Sequence, residues 1–391
     1  MLRLGIALAA GLALLASSLA TAGERALVVG LCAALSGPSA PAGEAILRGA
    51  RLALSEINER GGLLGRPVEL DVHDNRGNPA RGRDQLRALA GSETLVGTLG
   101  GVSTPVAMAA LPVVHEQRMI YLTPWAAGTG IVEHRFQPSY SFRLAASDRE
   151  AARYLLLEAL EKGYGRPALL LEHTAWGRSN QESLLAAAAA LNIPVAAVRF
   201  FHLGQQDFTD EARWLADAGA DHLILIAGVE EGAHFVRALA QSPPAREIPV
   251  FSHWGIAAGN FPERAGDALE RVQLSFLSTR VPWFSPEKPR LAALRERYCQ
   301  TFPDCQRALR QAYSMASAHA YDLLQLLAMA VEQAGTPRQG AVRDALERLP
   351  AYDGLLRRYD PPFTPERHDV LKIEDYLMAR YLQDGDVELL P

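Results

Sequence analysis

Between Ala26 and Leu122, short apolar runs alternate four times with stretches whose apolar residues recur at helical spacing. The runs Ala26–Leu35, Val68–His73, Thr94–Leu99 and Met119–Leu122 read as strands. Gly43–Asn58 lies between the first two and carries Ile46, Leu47, Ala50, Leu54 and Ile57 on one helical face. Ala80–Ala90 and a segment beginning at Ser103 or Thr104 are the next helices. Strands joined in this way run parallel, and their sheet has helices on both faces. In such a sheet, ligands bind where the strands end. Four turns fall on that edge: Ser36–Gly43, Asp74–Asn78, Gly100–Thr104 and Thr123–Gly130.

The pattern pauses at Tyr140–Asp148 and begins again. Arg149–Lys162, Arg178–Leu191, Asp210–Asp217 and Glu231–Ala240 read as helices. Between them Pro167–Glu172, Val195–Phe200, His222–Ala227 and Ile248–Ser252 read as strands. This is a second doubly wound unit of similar size, with edge loops at His173–Gly177, Phe201–Gln206, Gly228–Glu231 and His253–Asn260. Val272–Thr279 reads as a strand running back out. Helices follow at Pro289–Thr301, Arg307–Gln333 and Gly340–Arg348, and His368–Leu390 reads as terminal strands.

One stretch of the first unit carries chemistry. In GTLGGVSTPVAMAALPVVHEQRMIYLTP (Gly97–Pro124) a strand stops at Gly100-Gly101, and Ser103 or Thr104 caps a helix with Pro105 in its first turn. A helix start of this kind presents free N–H groups and a positive dipole end, a cradle for a carboxylate or small polar group. The hydroxyls of Ser103 and Thr104 can belong to that cradle or serve only as caps.

Composition narrows the function further. The 391 residues carry a formal charge of −5 and a pI near 6.1, without the basic footprint of a nucleic-acid binder. Arg3, the apolar Leu4–Leu15 and the small residues Ala20-Thr21-Ala22 before Gly23 form a secretory signal peptide over residues 1–22. No cysteine stands at the cleavage point, so no lipid anchor is expected. Cys299 and Cys305, in YCQTFPDC, are close enough to bridge in an oxidising compartment, whereas Cys32 reads as a buried strand residue.

Nucleotide fingerprints and nucleophile elbows are absent, and HEQR at His115 is not a zinc motif. Glu172-His173 with His253 could be imagined as a metal site or acid/base pair, but ten scattered histidines make that a weak signal. No set of residues demands catalysis, and no cofactor is implied. Tryptophan placement says more. Trp125, Trp176 and Trp254 fall in edge loops, where an indole either packs between lobes or meets a ligand. Trp214 reads as core, and Trp283 as packing at a lobe edge.

Several blocks resemble the type I periplasmic substrate-binding proteins of ABC importers, in particular the branched-chain amino acid (Leu/Ile/Val) binding group. They are LSGPSAPAGEAILRGARLALSEINERGGLLGRPVEL (Leu35–Leu70), Gly100–Ala127, AWGRSN (Ala175–Asn180), Asp207–Gly228 and AYDLLQLL (Ala320–Leu327). The resemblance implies two doubly wound α/β lobes joined by crossover strands and closing on a ligand by a hinge. The first lobe would comprise residues 23–143 with 279–352, and the second 144–278 with 353–391. By position, Ser103 and Thr104 match hydroxyls that hold a ligand carboxylate, and Ala126 and Ala127 match residues whose backbone completes that grip. Trp176 matches an aromatic that packs on the ligand from the second lobe, and Trp125 and Trp254 join it as cleft candidates.

Two departures stand out. Ala42 occupies a place where amino acid binders often have an aromatic residue. Around His253-Trp254 there is no acid to neutralise an ammonium group; Glu230 and Glu231 are near enough to substitute but also fit a helix N-terminus. The resulting expectation is a periplasmic, monomeric receptor serving an ABC permease and ATPase. Its ligand would be a small carboxylate or amino-acid-like molecule, with an apolar or aromatic far end favoured over a leucine-type zwitterion. A ligand-sensing regulator of the same fold and, less readily, a secreted enzyme are the alternatives.

Overall fold

The computed structural model describes residues 25–283 and 289–390. The signal peptide expected at residues 1–22 lies outside the described residues. The first sheet is built from β1 (Leu27–Ala33), β2 (Val68–Asp74), β3 (Leu95–Leu99), β4 (Tyr121–Thr123) and β5 (Ser141–Arg143), in the order β2-β1-β3-β4-β5. Every neighbouring pair is parallel. Three helices connect these strands: α1 (Ala40–Glu59), α2 (Pro79–Ala90) and α3 (Thr104–Glu116).

Sheet register assigns each helix its face. Gly30 of β1 lies opposite Thr98 of β3, and Val29 lies opposite Gly97, so Gly30 and Gly97 face opposite ways. Gly30 meets Leu89 of α2, whereas Gly97 meets Leu327 of a helix far along the chain. Both faces are therefore covered, and the strands read as near-continuous apolar runs.

The second sheet takes β6 (Pro167–Glu172), β7 (Ala197–Phe201), β8 (His222–Ile226), β9 (Val250–Ser252) and β10 (Leu274–Thr279) in parallel. Its helices are α4 (Asp148–Glu161), α5 (Ala175–Ala190), α6 (Thr209–Asp217) and α7 (Val229–Ala240). After β10 come α8 (Pro289–Thr301), α9 (Met315–Ala334) and α10 (Gln339–Leu346). The helix expected over Arg307–Gln333 is interrupted: a short turn at Cys305–Ala308 precedes α9, and the indole N–H of Trp283 donates to the Ser314 carbonyl at the break.

α8 and α9 return to the first lobe. α9 packs along α1, where Gly49 brings its backbone so close to Ser317 that an added Cβ would overlap the Ser317 carbonyl. Arg297 of α8 pairs with Glu59, and Arg48 of α1 pairs with Asp304 at 2.6 Å. A bridge joins Cys299 to Cys305, and Cys32 is free and buried.

The tail joins the second sheet later than residue 353. β11 (Tyr352–Asp353) and β12 (Arg358–Tyr359) form a hairpin against α9. There the buried Asp322 carboxylate accepts the Tyr359 hydroxyl at 2.7 Å and the Leu355 N–H at 2.8 Å, which holds residues 353–359 on the first lobe. Phe363 and His368 then pack on Phe142 of β5. Only β13 (Tyr376–Tyr381) and β14 (Val387–Leu389) enter the second sheet, both antiparallel, giving the order β14-β13-β10-β9-β8-β6-β7. Among the described residues no helix is long and apolar enough to cross a membrane.

Candidate ligand-binding cleft

In each sheet the strand order reverses once, at β1/β3 in the first and at β6/β8 in the second, and the loops leaving those strands face each other. They enclose a cavity of about 680 Å³. From the first lobe it is lined by Ala34, Ser39, Ser103, Thr104, Trp125 and Ala127, among others. From the second come Glu172, Trp176, Arg178, Glu230, Glu231 and Trp254. Seven of the eight residues singled out from sequence therefore meet in one cleft. The exception is Ala126, which is buried and does not line the cavity. Ala42 is buried on α1 and takes no part in the lining either.

Ser103 is the N-cap of α3, its Oγ accepting from the Val106 N–H at 3.5 Å. Thr104 is buried, and its Oγ1 accepts from the Gly128 N–H at 3.1 Å, tying the helix start to the loop after β4. Its own hydroxyl proton is left to give. Among the described residues no acceptor takes the N–H groups of Ser103, Ala126 or Ala127. Capping and ligand holding are thus compatible here.

The loop bearing Trp125–Gly128 is anchored from behind by two buried side chains. His319 of α9 bonds the Pro124 carbonyl through Nδ1 at 2.9 Å, and the Thr279 hydroxyl lies 3.2 Å from Nε2. Burial holds this imidazole neutral by pushing its pKa down to about 4. Arg143, fully buried in β5, donates from Nη1 to the Ala127 and Gly128 carbonyls at 2.8 and 2.7 Å. Its other edge grips Asp369 of the returning tail, with Nη2 to Oδ2 at 2.9 Å. One guanidinium therefore joins a crossover strand, the tail and the cleft loop.

Interlobe packing, one of the two roles weighed for the tryptophans, is seen for two of them. Trp125 and Trp254, from opposite lobes, stack with ring centroids 4.9 Å apart, and both also line the cavity. Trp176 stands in the first turn of α5, after a cap in which Thr174 accepts from the Trp176 N–H at 3.1 Å. Its indole N–H donates to buried Asp148 at 3.1 Å. Asp148 also lies 3.3 Å from His253 Nε2. The Trp254 N–H donates to His253 Nδ1 at 2.8 Å, which fixes the imidazole proton on Nε2, facing that carboxylate. Gly255 lets the Trp176 ring lie against backbone, since a Cβ there would overlap it.

The second lobe brings one more acid to the cavity than the sequence singled out as a ligand contact. Glu172, at the end of β6, is 6% exposed and lines the cavity. Burial, with further carboxylates at Glu231 and Asp148, pushes its pKa up to about 7, although the Thr174 hydroxyl donates to Oε1 at 2.6 Å. Glu230 and Glu231 do stand in the first turn of α7, as the helix-end reading has it. Both are engaged, Glu230 with Arg264 at 2.9 Å and Glu231 with the Gly204 N–H at 2.8 Å. Glu172 was visible in the sequence beside His173. A strand's last residue, buried by neighbours from other elements such as Asp148 and Glu231, carries no sequence mark that separates it from an ordinary edge acid.

The lobes touch around the cleft. The Thr129 N–H donates to Ser179 Oγ at 3.2 Å, Arg307 pairs with Glu263 at 2.9 Å, and Pro38 lies against Gly259.

Two parallel-sheet lobes with a ligand-sized cavity between their carboxyl edges define a two-lobed binding protein. The periplasmic binding protein family model matches residues 26–386, and the chain belongs to that family. Among curated relatives, the Leu/Ile/Val-binding protein BraC3 of Rhizobium johnstonii is 28% identical over 187 residues, 47% of this chain and 49% of that protein. The chain thus matches about half the length of that relative. A type 1 periplasmic binding protein from Bordetella pertussis superposes with a TM-score of 0.83 at 22% identity, over 94% of this chain and 100% of the other. LivJ of Streptococcus pneumoniae in complex with isoleucine gives 0.76 at 19% identity, over 94% and 99%. An R. palustris solute-binding protein in complex with benzoate gives 0.74 at 18%, over 94% and 96%.

Proposed function

We propose that the chain is a periplasmic solute receptor that binds a small carboxylate or amino-acid-like ligand between its lobes and delivers it to an ABC permease and ATPase. The observation that carries this reading is the cradle at Ser103, Thr104 and the 125–128 loop. It offers hydrogen-bond donors to a carboxylate on one wall of a closed-in cavity, with indoles on the other. Hydrogen bonds to a charged acceptor contribute roughly 1.5–3 kcal/mol each, so two or three suffice to orient a small anion. The isoleucine and benzoate held by two structural neighbours share a carboxylate and differ in everything else. That supports a common grip on the acid and a variable second wall. The ligand touches both lobes, so its binding favours their closed arrangement.

Native mass spectrometry of the purified protein, followed by calorimetry with the compound found, tests this. A carboxylate that co-purifies and binds more weakly to Ser103→Ala is the expected result. A ligand without an acid group, or a turned-over product, sinks the reading.

A further inference from the structure

Three imidazoles meet at the entry to β5, and none of them lines the cavity. His115 stands in the last turn of α3, His134 in the loop that leads to β5, and His368 in the returning tail. The rings of His115 and His134 lie 4.5 Å apart, edge to face, and Phe136 stacks on His115. Hydrogen bonds fix the proton on each of these two rings. His115 Nδ1 lies 2.8 Å from the Leu111 carbonyl and so carries the proton, which leaves Nε2 to accept the Tyr140 N–H at 3.2 Å. The Ser141 hydroxyl donates to the Ile131 carbonyl at 2.7 Å, so His134 Nε2, 2.9 Å from that hydroxyl oxygen, carries the proton of its ring. His134 Nδ1 is then a buried bare acceptor, without a hydrogen-bond partner among the described residues. Both rings are held in the neutral form.

The acids close by are already engaged. His368 meets the Ser141 carbonyl through Nδ1 at 2.8 Å and the Glu347 carboxylate through Nε2 at 3.0 Å, and Arg343 of α10 pairs with the same carboxylate. Asp369 is taken by Arg143. On the two rings' own segments Glu116, Arg118, Glu133 and Arg135 are exposed, and Glu133 pairs with Arg149. A second proton on His115 would therefore displace the Tyr140 N–H, and one on His134 would set a charge between two imidazoles with no free carboxylate to meet it. Burial, then His115 and His368, push the His134 pKa down to about 4 against the pull of the His134 and Phe136 carbonyls, and burial lowers that of His115.

We propose that His115 and His134 form an acid-sensitive clasp: neutral, they seat residues 132–140 against α3 and β5, and a proton on either ring releases that loop. β5 ends in Arg143, whose guanidinium holds the Ala127 and Gly128 carbonyls and the tail's Asp369, so the strand that is loosened is the one anchoring the cleft loop. The device belongs to the ligand-free fold and is the same whichever ligand the cleft takes. A ring whose value is lowered by folding stabilises the closed loop above its ordinary 6.5, and that contribution is lost as pH falls toward 4.

Hydrogen exchange with mass spectrometry on the ligand-free protein at pH 7.5 and pH 5 tests it, with rates corrected for the pH dependence of exchange in free peptides. Peptides from 131–143 should open tenfold or more readily at pH 5, whereas those from α1, a helix of the same lobe without a histidine, should change far less. His115→Gln/His134→Gln, whose side-chain amides take no proton in this range, should open equally at both pH values. An equal rise in α1, no rise in 131–143, or a rise undiminished in the double variant overturns the clasp. Should the double variant fail to fold, His134→Gln alone decides, since it removes the ring most shifted: the rise should shrink by at least half, and a full rise overturns the assignment.

Discussion

Replacing Glu172 with Gln should make the ligand-free protein more stable at pH 8 and leave it almost unchanged at pH 4. The carboxyl group has an ordinary value of 4.5 and titrates at about 7 in the fold. A raised value means that the fold prefers the neutral acid. The group's favourable contribution is fully present below pH 4.5 and is lost as pH rises through 7. Over that window the loss is about 3 kcal/mol, from 1.36 kcal/mol per pKa unit. Glutamine is isosteric and neutral throughout, so the difference between variant and wild type should open from near zero to roughly that size. The groups that face Glu172 are Glu231, Asp148 and Thr174, with Arg178 on the next helix. They are common to both proteins, and their own titrations largely cancel in the difference. Urea unfolding of ligand-free protein at half-unit steps from pH 4 to 8.5, followed by tryptophan fluorescence, provides the measurement. Parallel stability curves would refute the reasoning, because they would mean that the ionised carboxylate is already compensated in the fold.

Three further outcomes follow from other features. A leucine at Gly259, whose Cβ would press on the Pro38 carbonyl across the cleft, should prop the lobes apart. Ligand affinity should drop tenfold or more, and the compaction expected on adding ligand to the wild type should be absent from small-angle scattering of the variant; equal compaction in both would count against a closing hinge. Arg143→Met leaves Asp369 without its partner and frees the Ala127 and Gly128 carbonyls, so the unfolding free energy should fall by about 3–5 kcal/mol, the usual cost of breaking a buried pair. A loss under 1 kcal/mol in urea titration would show that the tail is held by other means. Thiol labelling should find no reactive cysteine in the native protein, since burial pushes Cys32 up to about 11. It should find one cysteine in the unfolded, unreduced chain, and three there would exclude the Cys299–Cys305 bridge.

The parallel cores were legible in the sequence because both faces of each sheet are covered, leaving strands as unbroken apolar runs between amphipathic helices. The cleft was legible on the same ground, since residues after strand ends share one edge. Ser103, Thr104 and the three loop tryptophans could be named in this way. Less visible was whatever depends on long-range partners. Asp322 attracts residues 353–359 to the first lobe through hydrogen bonds to a side chain more than thirty positions away, which no local period records. The break before α9 depends on Trp283 reaching Ser314. Asp148, Glu172 and His253 look like ordinary polar residues at element ends until the fold buries them together.

The packing of α1 against α9 has a consequence for the order in which the molecule can form. Residues 40–59 and 315–334 supply the two halves of one helical layer, with the whole second lobe threaded between them. A chain emerging from its N-terminus would hold five parallel strands with one face of the sheet only partly covered until α9 arrives. Closing so long an interval is entropically slow, and contacts of this range delay the final assembly of a domain. The second lobe's parallel core, by contrast, is continuous from β6 to β10 and can condense early. The first lobe should therefore be the later of the two to be completed, with the close approach of Gly49 to Ser317 among its last contacts.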